Sequence, residues 1–298
     1  MSAPGPRRRG ARRRRRSVTR VLVPPACLAV ALLLTLAVYR GEASPRVRRA
    51  RRSTHTSALL DTEQTAAIGR LVDERQGQVT IAVDDLLTGK EWLFNPGARD
   101  QTGSIIKVDI LETLLRQAME QRTPLGESVA ETAEGMIENS NNDDATALWD
   151  QDGGAGGVGS YNRAVGLDQT TLNTDGYWGT SLTSAADQIK LLRQLTLPGG
   201  LLDAASREYE LGLMENIEAD QDWGVSAGIP SGVRVALKNG WLPLTTNTNW
   251  EINSIGWIKG DGRDYLIAVL TAHDPSEAYG ISTVQSISPL VYADLAPS

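Results

Sequence analysis

The sequence predicts a mixed α/β domain (α+β). An antiparallel sheet is formed by both ends of the domain and flanked by helices, with an all-helical lobe inserted between them. Three observations predict it. Strand-like apolar runs follow residue 77 and recur after residue 232. Helix-period apolar spacing dominates residues 104–217. No fixed-period repeat offers a solenoid as an alternative. Strands at both ends of a helical middle bury their faces most simply in one shared sheet.

The chain opens on a basic tail, residues 1–20, with nine arginines. Val21–Tyr39 then runs for 19 residues without a charge. As a helix that run would span about 28 Å, close to a bilayer core. The preceding arginines predict a cytoplasmic N-terminus. Residues 21–39 therefore read as a transmembrane signal anchor, or as a signal peptide cut near Gly41-Glu42-Ala43. Residues 40–57 are an Arg-rich linker. Either reading places the body, 58–298, outside the cytoplasm, as a single-pass membrane protein or as a secreted one.

Charge supports the division. The chain carries −6 overall, but residues 1–52 hold fifteen arginines against Glu42 alone, or +14. The rest holds fifteen basic groups against 35 acids, or −20. An acidic body repels phosphate, so a nucleic-acid partner is not expected. The single cysteine, Cys27, lies in the apolar run, so the body has neither a disulfide nor a cysteine metal site.

Within the body, Leu60, Ile68, Leu71 and Val72 fit a helix that ends at Gly77. Val79, Ile81 and Val83 alternate as in a strand over Gln78–Leu86, and a turn leads to a second strand, Glu91–Phe94. Ser104–Gln121 is the clearest helix, with Val108, Leu111, Leu115 and Met119 on one face. Further helical stretches are Gly126–Trp149, Ser184–Leu195 and Asp203–Ile217. Strands follow at Val233–Lys238, Trp250–Ile258 and Tyr265–Thr271, and a helix over Ile281–Leu295 closes the chain.

One chemical motif starts the clearest helix: Ser104-Ile105-Ile106-Lys107. Positions i and i+3 lie about 5–6 Å apart on a helix, so the amine can reach the hydroxyl. A serine hydroxyl is a weak nucleophile that needs such a base. The lysine must then be neutral, which burial and nearby cations favour. The helix N-terminus adds backbone N–H groups for a developing oxyanion. Two more elements follow in order: Ser140-Asn141-Asn142 after a helical stretch, and Lys238-Asn239-Gly240 at the end of a strand. Two of the five lysines in the chain occupy these positions.

With S-x-x-K, S-x-N and K-x-G in this order, residues 58–295 resemble the class A β-lactamase and penicillin-binding serine hydrolase superfamily. The resemblance implies a β-lactamase-like fold and an acyl-serine intermediate. It implies Ser104 as nucleophile, Lys107 as its proton acceptor and Ser140 as a proton shuttle to the leaving nitrogen. It implies that Asn142 holds the substrate amide and Lys107, and that Lys238 attracts the substrate carboxylate. The Asn239 amide would take the place of a hydroxyl there. Gly240 would admit the substrate backbone, and Trp241 would wall the cleft. The oxyanion hole would map to the backbone N–H groups of Ser104 and Trp241.

The implied substrates are a β-lactam or a peptidoglycan-derived peptide, with no cofactor and no metal. A D-alanyl-D-alanine carboxypeptidase, an esterase, and a sensor that binds or stays acylated remain alternatives. The departures are Asn141 for the usual Asp, Asn239 for Thr or Ser, and a 36-residue Ser104–Ser140 gap. No E-x-x-L-N motif is present, and Thr170–Ser184 holds one acid, Asp175.

Other motifs are read as structural. The G-x-G-x-x-G at Gly154–Gly159 follows a helix instead of a strand and is expected to be a flexible loop. Asn139–Asp144 lacks the glycine and glutamate of a calcium loop. His273 is expected to end a strand rather than join a triad.

Overall fold

The computed structural model describes residues 60–244 and 249–295. The segments 1–20, 21–39 and 40–57 lie outside the described residues. Among the described residues no helix is long and apolar enough to cross a membrane.

The N-terminal part gives helix α1 (Thr62–Asp73) and strands β1 (Gln78–Asp85), β2 (Lys90–Phe94) and β3 (Asp100–Gln101). A 3-10 turn, Gly103–Ile105, runs into helix α2 (Ile106–Gln121). Helices α3 (Glu127–Glu138), α4 (Asn142–Asp152) and α5 (Gly154–Val165) follow. Then come strand β4 (Leu182–Thr183) and helices α6 (Ala185–Thr196) and α7 (Ala204–Glu215). Strands β5 (Arg234–Pro243), β6 (Trp250–Gly260) and β7 (Arg263–Asp274) and helix α8 (Glu277–Asp294) complete the order.

The main sheet has the order β2-β1-β7-β6-β5, antiparallel throughout. Both ends of the domain therefore build one sheet, as the sequence predicts. Alternation sorts its two faces. Val79, Ile81, Val83, Ile267 and Val269 pack with Ile68 of α1 and Val284, Ile287 and Val291 of α8. Ala82, Leu266, Ala268 and Leu270 pack with the helical lobe. Each fully buried aliphatic side chain contributes about 1.5–3 kcal/mol. Helix α2 has no Gly or Pro, and Ile106 to Leu115 are all buried, so it forms the axis of the lobe.

The structure corrects three boundaries. The stretch Gly126–Trp149 is two helices, not one. Ser140 has φ 52°, and the Asn141 side chain caps α4 by accepting from the N–H groups of Asp143 and Asp144. A capping amide in mid-stretch outcompetes helix continuation. The glycine-rich Gly154–Gly159 is the start of α5 instead of a loop. Gly157 serves close packing: a Cβ there would overlap the Asp152 carbonyl. Finally, β5 continues past Lys238 to Pro243, so Asn239, Gly240 and Trp241 are strand residues.

Candidate active site

Strand β5 is the free edge of the main sheet, and it passes directly beside the 3-10 turn that carries Ser104. The approach leaves no room for a side chain. A Cβ at Gly240 would lie 2.6 Å from the Thr102 carbonyl oxygen and 2.7 Å from the Ser104 nitrogen. From the other side, a Cβ at Gly103 would lie 2.9 Å from the Trp241 nitrogen. The backbone N–H groups of Ser104 and Trp241 are thus neighbours, at the start of α2. Ser104 itself is partly exposed.

The turn is anchored from several directions. Thr102 donates its N–H to the Ser181 carbonyl (2.8 Å) and its hydroxyl to that of Gly179 (3.2 Å). Asn253 of β6 donates to the carbonyls of Gln101 (2.7 Å) and Thr102 (3.0 Å). Glu251 accepts from the Gln101 N–H.

One turn into α2, Lys107 is fully buried. Its Nζ donates to the Ser140 carbonyl (2.5 Å), the Ser140 hydroxyl (3.1 Å) and Asn142 Oδ1 (2.9 Å). The Ser104 hydroxyl is not among these partners. The ring of Trp178 covers a further side of Nζ, 5.3 Å from its centroid. Lys238 is 1 % exposed and donates to the same Ser140 hydroxyl (3.0 Å) and to the Asn239 carbonyl (3.3 Å).

Two buried amines converge on one half-buried hydroxyl. Burial lowers the Lys107 pKa to about 7 against a weaker opposing pull from Asp144. Lys238 is held well below its ordinary value by burial and by the Lys107 charge. Both effects favour the neutral amine. A neutral amine beside a serine hydroxyl can accept its proton, and paired N–H groups can stabilise an oxyanion.

The structure brings Lys107, Ser140, Asn142 and Lys238 into one bonded cluster, and Ser104, Gly240 and Trp241 into backbone contact beside it. Trp241 is half-buried, with its ring edge-on to Trp223 at 6.0 Å. Asn239 differs from the expectation. It is 1 % exposed and donates its amide to the carbonyls of Gln221 (2.7 Å) and Trp223 (3.0 Å), so both donors serve the fold. Asp175 is exposed, and no hydrogen bond or ion pair joins it to Lys107 among the described residues. Trp178 is the site residue that motif reading misses. The only sequence signal for it is an aromatic pair, Tyr177-Trp178, inside the loop that lacks the expected glutamate.

Below α2 lies a second set of buried groups. Glu112 accepts from the Tyr161 hydroxyl (2.6 Å) and Asp109 from Asn162 (2.9 Å), while neither Glu210 oxygen has a hydrogen-bond partner among the described residues. Burial, the largest cause, raises Asp109 to about 7 and Glu112 and Glu210 well above the ordinary carboxylate value. Their mutual repulsion adds to it.

Residues 123–295 match a family model described as "Beta-lactamase enzyme family". A curated relative, "Putative lipoprotein LppW" of Mycobacterium tuberculosis, is 28% identical over 256 residues, 82% of this chain and 73% of the relative. Among solved structures, a class A β-lactamase from Bacteroides cellulosilyticus superposes with a TM-score of 0.69 at 18% identity. That match covers 78% of this chain and 97% of the other. One from Mycobacterium abscessus gives 0.67 at 20% identity, covering 77% and 98%. At these identities the structural likeness is one of fold. Together with the family match over more than half its length, it leads to one conclusion: the chain belongs to the beta-lactamase enzyme family.

Proposed function

We propose that the body is an extracytoplasmic serine hydrolase that forms an acyl-Ser104 intermediate with a β-lactam or a cell-wall peptide amide. The observation that carries this reading is the Ser140 hydroxyl bonded to two buried lysines, of which Lys107 stands one helical turn from Ser104. Lys107, whose pKa burial lowers to about 7, takes the Ser104 proton in its neutral form as Oγ attacks the carbonyl carbon. The N–H groups of Ser104 and Trp241 receive the oxyanion. The proton passes through Ser140 to the leaving nitrogen as the C–N bond breaks, and Lys107 is neutral again. Asn142 orients Lys107 and the substrate amide. A substrate carboxylate restores the positive charge of Lys238 by pairing with it. Gly240 lets the substrate backbone approach the strand edge.

Attachment to the membrane through residues 21–39 belongs to this reading. The relative's printed name, a lipoprotein, supports an extracytoplasmic, membrane-associated body without favouring a particular anchor. The test is labelling of the purified protein with a tagged penicillin, followed by peptide mass mapping. Label on Ser104, lost in Ser104→Ala, supports the reading. A folded protein that no penicillin or activated ester acylates at Ser104 refutes it.

A further inference from the structure

We propose that the indole of Trp178 bars hydrolytic water from the acyl-Ser104 ester, so that the acyl group stays attached long after it is formed. This rests on Ser104 as the nucleophile.

Deacylation needs a water whose oxygen attacks the ester carbonyl and whose proton goes to a base. The C–O bond to Ser104 then breaks, and Oγ takes up a proton. The base has to touch that water. Lys107 is closed on most sides: Ser140 and Asn142 take three hydrogen bonds from Nζ, and the Trp178 ring covers a further side. No carboxylate bonds to Lys107 among the described residues, and Asp144 acts on it only through its field.

The ring is fixed at both ends. Its nitrogen donates to the Thr146 hydroxyl of α4 at 3.2 Å. Its backbone neighbours Gly179 and Ser181 are bonded to Thr102, two residues before Ser104. The Trp178 segment therefore reaches from the Ser104 turn, through the carbonyls of Gly179 and Ser181, to α4, through the indole nitrogen, with the ring against a lysine that has no exposed surface. Asp175, the sole acid of this loop, is exposed and unconnected to Lys107. Acylation uses no water, and Ser104 keeps its own opening to solvent. The ring thus separates the two half-reactions: the first proceeds and the second is slowed.

The test compares the wild-type protein with Trp178→Ala, Trp178→Phe and Thr146→Val. Each is acylated with a labelled penicillin or with p-nitrophenyl acetate and followed by intact mass, with thermal melts as the check on folding. Wild type is expected to hold its label. Trp178→Ala is expected to lose it at least about tenfold faster, a barrier lower by about 1.4 kcal/mol. Trp178→Phe, which keeps an apolar cover, is expected to stay slow. Thr146→Val, which frees the ring, is expected to fall between and serves if Trp178→Ala does not fold. Equal release from the wild type and the ring-freed variants overturns the inference while leaving the nucleophile intact. If neither donor labels the folded wild type, the reading of Ser104 falls, and this inference with it.

Discussion

Lys107 and Lys238 share one acceptor: the hydroxyl of Ser140 takes a hydrogen bond from each, at 3.1 and 3.0 Å. They stand on different elements, α2 and β5. Their common acceptor lies on the turn between α3 and α4. A single hydroxyl thus joins three separate parts of the fold.

The acylation rate is expected to rise with pH through about 7, where Lys107 loses its proton. The direction follows from the role, because only the neutral amine accepts the Ser104 proton. Stopped-flow acylation across this range checks it. A rate that falls as pH rises through 7 contradicts Lys107 as the base.

Ser140→Ala removes the acceptor common to both lysines and the proton path to the leaving group. Acylation is expected to slow by about 10²–10⁴-fold, the usual range for a positioned proton-transfer group. Labelling kinetics at fixed penicillin concentration measure this. A loss below about threefold would remove Ser140 from the proton path.

Gly240→Ala puts a methyl within 2.8 Å of three backbone atoms, those of Thr102, Ser104 and Ile105. The strand and the nucleophile turn must separate. The expected stability loss is about 1–3 kcal/mol, with acylation nearly abolished. Urea unfolding and labelling together test it, and normal labelling of Gly240→Ala would contradict this contact.

Asn239→Ala breaks two bonds to backbone carbonyls, of Gln221 and Trp223. Each stranded buried carbonyl costs about 1–3 kcal/mol. A fall in unfolding free energy with unchanged concentration dependence of labelling is expected. Weaker penicillin binding in a variant of unaltered stability would instead return Asn239 to the substrate.

Glu210 and Glu112 have folded-state pKa values raised by burial and by neighbouring acids. A raised carboxyl contributes stability fully present below its unfolded value, about 4.3, and lost as pH rises through the folded value. Asp109 at about 7 and Asp152 at about 8 act in the same direction. The denaturation midpoint is expected to be lower at about pH 8 than at about pH 5, and Glu210→Gln is expected to narrow the gap. Equal narrowing in an exposed control such as Glu131→Gln would refute the assignment.

Much of the site was legible because covalent spacing fixes it. Ser104 and Lys107 are one helical turn apart whatever surrounds them. The period-two runs around Val79 and Ile267 carry their own facing, and both ends join one sheet. The break at Ser140 did carry a local signal, the six poor helix formers over residues 139–144 with the Asn141 cap among them, although helical spacing resumes on either side. Helix α5 was hidden because propensity argues against five glycines in seven positions of 153–159, whereas the close approach of Gly157 to the Asp152 carbonyl leaves no room for a side chain. The orientation of Asn239 depends on where residues 221–223 arrive, and the place of Trp178 depends on Thr146 and Thr102. Neither is a local property of the sequence.

The left-handed backbone at Ser140, φ 52°, turns its carbonyl and its hydroxyl to the same ammonium. Glycine would adopt that conformation freely, and serine does so at about 1–2 kcal/mol. Ser140→Gly is therefore expected to be slower to acylate, with the relief of backbone strain set against the loss of an acceptor for two buried lysines. At Ser140 the backbone suits glycine, whereas the proposed proton transfer needs the oxygen that glycine lacks.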